Sequence, residues 1–356
     1  MANIPEIMNA VLMKGHGDYR QLEYTHHAKT PKPLENEVLI EVKAAGVNNT
    51  DINTRIGWYA KENKTDDASW SGVRLEFPRI QGADVCGYIV AVGKNVNQGR
   101  IGQRVLVEPS LQKLNGKQLE SPWYFGSECD GGFAQYAVVS QEHAYAIKSA
   151  YSDIELASFP CSYSTAENLL TRANVTVNDT VLISGASGGV GSAAVQLACA
   201  RGATVIAITS ASKCDALKAL GASRVIERDK NIVEALGKNS VSVVIDLVAG
   251  ATWGDFLEVL KPKGRYAVSG AIAGAIVELD VRTLYLKDLS FFGCTVLEEE
   301  VFGNLIQRIQ KQEIKPLVAK IYPLSDIVEA QKEFLTKKHI GKIVLEIDEV
   351  KHKKVN

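Results

Sequence analysis

Val181-Leu182-Ile183-Ser184-Gly185-Ala186-Ser187-Gly188-Gly189-Val190-Gly191 is the stretch that decides the fold of this chain. An apolar run meets a glycine cluster and continues as a helix-like segment through Cys199. That is the layout of a strand, a tight turn and a helix whose N-terminus can face a phosphate. Gly188 and Gly191 would let the backbone approach a pyrophosphate and let the helix pack on the strand. The free N–H groups and the dipole of the first helical turn favour negative charge there. One such cluster also arises by chance in turns, so the reading rests on whether the alternation of strand and helix continues downstream. It does. Residues 203–209 form a second apolar run, 213–220 read as a helix closed by Gly221, and 224–226 read as a short strand. A second set lies beyond: 241–248, a helix near 253–260 ended by Pro262 and Gly264, then 265–269 and 289–294. Strands buried on both faces read as continuous apolar runs, and six of them joined by helices predict an α/β protein with a doubly wound parallel sheet.

The arrangement predicts a Rossmann-type dinucleotide-binding domain over 156–297. Upstream the pattern changes. Residues 37–42, 87–93, 104–108 and 133–140 are short β-rich runs separated by Gly, Pro and Asn, which predicts an irregular β domain over 1–155. The tail, 298–356, reads as a helix at 301–312 and strands at 317–322 and 342–347 around a helical 325–335, and is expected to return to the β domain. At 356 residues, two domains with a core each are expected.

Forty basic residues against forty-one acidic ones leave no field that would favour nucleic acid or an anionic membrane. The dense basic run at 351–354 reads as a solvated tail. Six cysteines, at 86, 129, 161, 199, 214 and 294, show no paired spacing, which argues for a reducing compartment. No signal-like segment follows Met1 and no apolar run reaches about 18 residues, so a cytoplasmic protein is expected, without membrane or nucleic-acid partners.

Several stretches carry a family resemblance. Ala45-Gly46-Val47-Asn48-Asn49-Thr50-Asp51, Gly82-Ala83-Asp84, Phe159-Pro160-Cys161-Ser162-Tyr163-Ser164-Thr165-Ala166 and His339-Ile340-Gly341-Lys342-Ile343-Val344-Leu345 resemble motifs of the medium-chain dehydrogenase/reductase superfamily. The glycine cluster together with Val47-Asn48 is similar to its quinone oxidoreductase-like branch. The resemblance covers nearly the whole chain and implies a GroES-like β domain plus a Rossmann domain. It implies cofactor contacts from Thr165, Ser187, Gly188, Gly189, Val190, Gly191, Val248 and Gly270.

The departures bear on mechanism. Zinc members place a Cys, a His and a second Cys or an acid on the metal; here the first position is Asn48, the second Ala83, and Cys161 remains. Catalytic zinc usually takes three protein ligands, so no metal is expected. The cysteine-rich structural zinc lobe is also missing, since 111–126 contains no cysteine. The histidines at 16, 26, 27, 143 and 339 lack metal-ligand spacing and read as surface or packing residues. Without a Lewis acid, reduction of an activated C=C bond is easier than alcohol dehydrogenation, because an enolate needs only hydrogen-bond donors and a proton. By resemblance Asn48 and Thr50 face the nicotinamide as candidate catalytic groups; the alternative is a simple turn. Tyr163 is a third candidate donor, or a packing residue at a helix start.

At the end of the second Rossmann strand, NAD-specific domains carry an acid for the ribose hydroxyls. This chain has Thr209-Ser210-Ala211-Ser212-Lys213 instead. Hydroxyls at Ser210 and Ser212 with the Lys213 ammonium suit a 2′-phosphate, and Arg228 offers a second cation, so NADP(H) is expected. Lys213 as an ordinary solvated helix residue is the alternative. The long connection 56–77, with Trp58, Tyr59 and Trp70, could cap an apolar or aromatic carbonyl substrate or serve a peripheral contact. The expected activity is NADPH-dependent reduction of quinones or α,β-unsaturated carbonyls without zinc. The alternatives are an alcohol or aldehyde dehydrogenase retaining a metal through Cys161 and Asp84, and a nucleotide-binding protein without turnover, like the crystallins and vesicle proteins of this branch. A homodimer is expected through an edge strand at 289–296.

Overall fold

In a computed structural model the described residues are 4–60, 69–71 and 73–348, so the basic run at 351–354 and the middle of the 56–77 connection lie outside them. The chain divides into two compact units. One is drawn from residues up to Cys161 with 316–338 and the segment from Lys342 onward; the other comprises 162–315 with 339–341.

The first unit opens with β1 (Ile7–Met13), β2 (Leu22–Lys29), β3 (Glu37–Val47), α1 (Asn49–Ile56), β4 (Arg79–Ile80) and β5 (Asp84–Val92). It continues with β6 (Arg104–Val107), β7 (Ser110–Leu114), β8 (Lys117–Tyr124), β9 (Tyr136–Ser140), β10 (Ala144–Ala146) and α2 (Asp153–Leu156), and α3 (Pro160–Arg172) follows. The second unit contributes β11 (Thr180–Ile183), α4 (Gly189–Ala200), β12 (Thr204–Thr209), α5 (Cys214–Ala219), β13 (Arg224–Glu227), α6 (Ile232–Leu236) and β14 (Val241–Asp246). Then come α7 (Trp253–Val259), β15 (Leu260–Val268), α8 (Val281–Leu286), β16 (Ser290–Gly293) and α9 (Val301–Gln310). The chain returns to the first unit with β17 (Val318–Pro323), α10 (Ile327–Leu335) and β18 (Lys342–Glu346).

The second unit is the expected doubly wound sheet, six parallel strands in the order β13-β12-β11-β14-β15-β16. Val181, Leu182 and Ile183 in β11, with Val243, Val244 and Ile245 in β14, have no exposed surface, which is why both strands read as unbroken apolar runs. The helix expected to reach 260 ends instead at Val259, and β15 runs on through Pro262 and Gly264. Its register against β14 shifts between Val241 and Val243, so Pro262 falls where no ladder bond is required.

The first unit is built on the long strand β3. Its Glu37–Glu41 half pairs with β9, its other end with β18, and β5 runs along the opposite side. The tail pairs with this sheet through β18 beside β3, with β17 parallel to β18. The domain borders need correction: 162 and 315 replace 156 and 297, and the helix α9 belongs to the second unit. The cause lies in its side chains. Val301, Phe302, Leu305, Ile306 and Ile309 are buried, Arg308 stands 3.7 Å from Glu167, and Gln196 of α4 accepts the Lys315 N–H at 2.8 Å.

Candidate cofactor site and buried polar cluster

Within the second unit, residues 187–191, 210–213, 228, 248 and 270 all follow the carboxyl ends of parallel strands, around the point where the order reverses between β11 and β14. Ligands of open α/β sheets bind at that switch point. Gly185 turns the chain with φ 56°, and a Cβ on Gly191 would stand 2.3 Å from the Gly185 carbonyl, so Gly191 is bare to let α4 pack on the turn. Gly188 differs. A Cβ there would meet nothing closer than 3.5 Å, and the residue is exposed at the start of α4 with no side chain capping the helix. Its missing side chain leaves an open cradle before the helix N–H groups, which fits a pyrophosphate. Ser187, Gly189 and Val190 around it are half-buried, and so is Thr165 on α3. Val248 packs beside Gly185, and a Cβ on Gly270 would meet the Leu247 carbonyl at 2.8 Å.

Lys213 is not a solvated helix residue. Its side chain turns inward to donate to the His339 carbonyl at 2.8 Å and to Ser187 Oγ at 3.4 Å. Burial, and then the nearby Arg228 guanidinium, push its pKa down. Two cations thus stand in mutual repulsion beside Ser210 and Ser212, where an anion bound between them would relieve both.

In the first unit the positions corresponding to metal ligands form a closed polar cluster. Asp84 and Lys342, both essentially without exposed surface, pair at 2.8 Å. Asp84 Oδ1 accepts the Cys161 N–H at 2.5 Å, and Oδ2 also accepts Asn48 Nδ2 at 2.9 Å. Lys342 Nζ further donates to the Val47 carbonyl at 2.9 Å and to Asn48 Oδ1. The carboxylate explains Gly46, since a Cβ there would lie 2.4 Å from Asp84 Oδ2. Tyr124 of β8 hydrogen-bonds the Cys161 sulfur at 2.8 Å, and Ala83, Tyr124 and Cys161 pack with Trp70 in one cluster. Burial pushes the Cys161 thiol up to about 12 and the Tyr124 hydroxyl well above its ordinary range, so both are neutral groups.

This donor set does not fit zinc. Ala83 supplies no ligand, and Asp84 already serves an ammonium and two N–H donors. Among the described residues no group of three or more His, Cys, Asp or Glu side chains could hold a metal ion.

Two of the three catalytic candidates need correction. Tyr163 donates to the Lys315 carbonyl at 2.7 Å and accepts Gln196 Nε2 at 2.8 Å, which makes it a buried tie within the second unit. Asn48 spends its amide on Asp84, Lys342 and the Gly46 carbonyl at 3.4 Å, so it holds the fold around the site and does not offer a donor. Thr50 remains half-buried on α1, and the hydroxyl of Tyr59 hydrogen-bonds both it and Asn53. The placement of Tyr59 against Thr50, of Tyr124 against Cys161 and of Lys342 against Asp84 was not legible in the sequence. Tyr59 had a signal, lying nine residues after Thr50 in an aromatic stretch. Lys342 had one in its own motif, where a lysine between Gly341 and Ile343 breaks an otherwise apolar strand.

With this geometry in place the comparisons are specific. Residues 34–149 match the family model "Alcohol dehydrogenase GroES-like domain" and 189–311 match "Zinc-binding dehydrogenase". A candidate alcohol dehydrogenase from Sinorhizobium meliloti 1021, known from its crystal structure, superposes with a TM-score of 0.91 at 42% identity, covering 98% of this chain and 99% of that one. The acryloyl-coenzyme A reductase of Metallosphaera sedula is 29% identical over 95% of this chain and 99% of its own length. The NAD-dependent alcohol dehydrogenase of Saccharolobus solfataricus is 30% identical over 88% and 94%, and the human quinone oxidoreductase 27% over 94% and 96%. The chain belongs to the medium-chain dehydrogenase/reductase superfamily and is an oxidoreductase of that type. Among the described residues no helix is long and apolar enough to cross a membrane.

Proposed function

We propose that this protein is an NADPH-dependent reductase of quinones or α,β-unsaturated carbonyl compounds that works without zinc. The observation that carries this reading is the engagement of Asp84, Asn48 and Lys342 with one another, which commits to internal pairing the groups that stand at the metal positions. The nicotinamide cofactor, when bound, supplies the hydride. The chain's own groups do the rest. The cradle at Gly188 and the first turn of α4 hold the pyrophosphate, and Ser210, Lys213 and Arg228 hold the 2′-phosphate. The Thr50 and Tyr59 hydroxyls donate to the carbonyl oxygen as negative charge gathers on it, and Tyr59, bonded to Thr50, passes on a proton. Such a reaction asks for donors and not for a Lewis acid. The acryloyl-coenzyme A reductase among the relatives acts on an activated double bond, which supports the substrate class.

The named alcohol dehydrogenases and the zinc-binding family model favour the second reading, a metal-dependent alcohol or aldehyde dehydrogenase. One experiment separates the two. Protein treated with a strong chelator is offered NADPH with a panel of enones and quinones, and NAD or NADP with alcohols. Enone or quinone turnover unaffected by the chelator is expected; stoichiometric zinc whose removal abolishes alcohol oxidation would promote the second reading. NADPH binding without turnover across the panel would leave a nucleotide-binding protein. The exposed edge at β16 further supports a homodimer joined sheet to sheet.

A further inference from the structure

We propose that the Lys342 ammonium is the positioning cation of this site. It sets Asn48, and through Asn48 the start of α1, where Thr50 is bonded to the Tyr59 hydroxyl. This rests on the reading above and goes beyond it by assigning the residue that holds the donor pair in place.

A primary ammonium has three N–H donors, and here each has one oxygen: the Val47 carbonyl, Asn48 Oδ1 and Asp84 Oδ2. These oxygens come from the end of β3, the turn into α1 and the first residue of β5, while the lysine is the first residue of β18. Three chain segments distant in sequence, at 47–48, 84 and 342, are thus fixed on one nitrogen. The same Asn48 side chain closes the ring by donating to Asp84, and its backbone N–H donates to Asp51 Oδ2 at 2.7 Å, in the first turn of α1. Displacement of the ammonium would free the Asn48 side chain to rotate and would loosen that turn. The charge count agrees, since Asp84 is fully buried and Lys342 is the cation paired with it. Lys342 touches neither substrate nor cofactor, so its role is to position.

The oxygens around Nζ would form, in Lys342→Ala, a cavity that accepts a small ammonium ion, and this makes the role testable without relying on turnover alone. Lys342→Ala is melted in methylammonium chloride, in tetramethylammonium chloride and in sodium chloride at equal ionic strength, and its kcat and KM for an enone accepted by the unmodified protein are measured in the same solutions. The expected result is a saturable rise in Tm of several degrees with methylammonium only, none of it in the unmodified protein. In parallel, a kcat lowered at least tenfold should recover at least fivefold, with KM for NADPH unchanged. Lys342→Met combined with Asp84→Asn leaves no unpaired buried charge and guards against a variant that does not fold; it should remain slow, because Asn48 still lacks its donor. Absence of a methylammonium-specific rise in Tm, or an unimpaired kcat in the double variant, would overturn the proposal. If the unmodified protein reduced no enone or quinone, the proposed function would fail, while the melting experiment would still decide whether the cavity takes an ammonium.

Discussion

Lys213 is the residue on which the proposed preference for NADPH turns. Its ammonium lies between Ser187 of the glycine turn and the His339 carbonyl, with Arg228 close enough to depress its pKa. Lys213→Glu should therefore lower affinity for NADPH at least tenfold and leave NADH nearly as it was, since a charge-assisted contact contributes about 1.5–3 kcal/mol. Fluorescence titration of both cofactors at one ionic strength checks this, and equal affinities in the unmodified protein would defeat it. Asp51 offers a prediction in pH. Burial pushes its carboxyl up to about 7, against the N–H groups of Asn48 and Gly82 that favour the charged form. Because the folded pKa lies above the ordinary 3.8, the fold binds more protons than the unfolded chain between those values. Stability must then fall as pH rises through that window and stay low above it. Asp51→Asn should flatten the decline; urea midpoints at pH 5 and pH 8 that fall equally in both proteins would refute the assignment.

At the scale of elements, Gly188 and Gly191 stand three residues apart and are bare for different reasons. Gly191→Ala forces a methyl into the Gly185 carbonyl, and overpacking of this kind costs typically 1–3 kcal/mol. Gly188→Ala meets no such obstacle, so it should leave Tm unchanged while lowering cofactor affinity by blocking the cradle. Loss of Tm in Gly188→Ala, or normal stability in Gly191→Ala, would reverse these roles. The sequence could not separate the two, since both are simply Gly in a turn. What was legible were elements whose burial leaves a period: the runs of β11, β12 and β14, and the amphipathic α9. The unit to which α9 belongs was not, because amphipathicity shows that a face is buried without showing against what. Nor was the ring of Lys342, Asp84 and Asn48, whose members are separated by as many as 294 residues. Tyr163 misled for a related reason, since a tyrosine beside a catalytic motif looks the same whether its hydroxyl faces a substrate or a main-chain carbonyl.

At the scale of the whole molecule, the second unit ends on a short edge strand. Ile272 and Ile276 beyond β15, Tyr285 and Leu286 of α8, and Phe291 of β16 are exposed, Ile276 by 92%. An apolar stretch beside an open parallel edge is a template for pairing, and a two-fold dimer would cover it with its own copy. Light scattering at micromolar concentration should give twice the chain's 38.6 kDa, and Leu286→Glu with Ile276→Asp should give the monomer. A monomeric unmodified protein would dispose of this.

The return of the chain to its first sheet has a consequence for how the molecule is made. Residues 162–315 of the second unit emerge from the ribosome as one nearly continuous block, whereas β3 must wait for β18, about 300 residues behind it, to receive its neighbour. Domains usually close in the order of synthesis. Here the sheet begun first is completed last, and the Asp84 carboxylate gains the Lys342 counter-charge only then. The lysine that completes the buried pair is thus among the last residues of the β unit to be made.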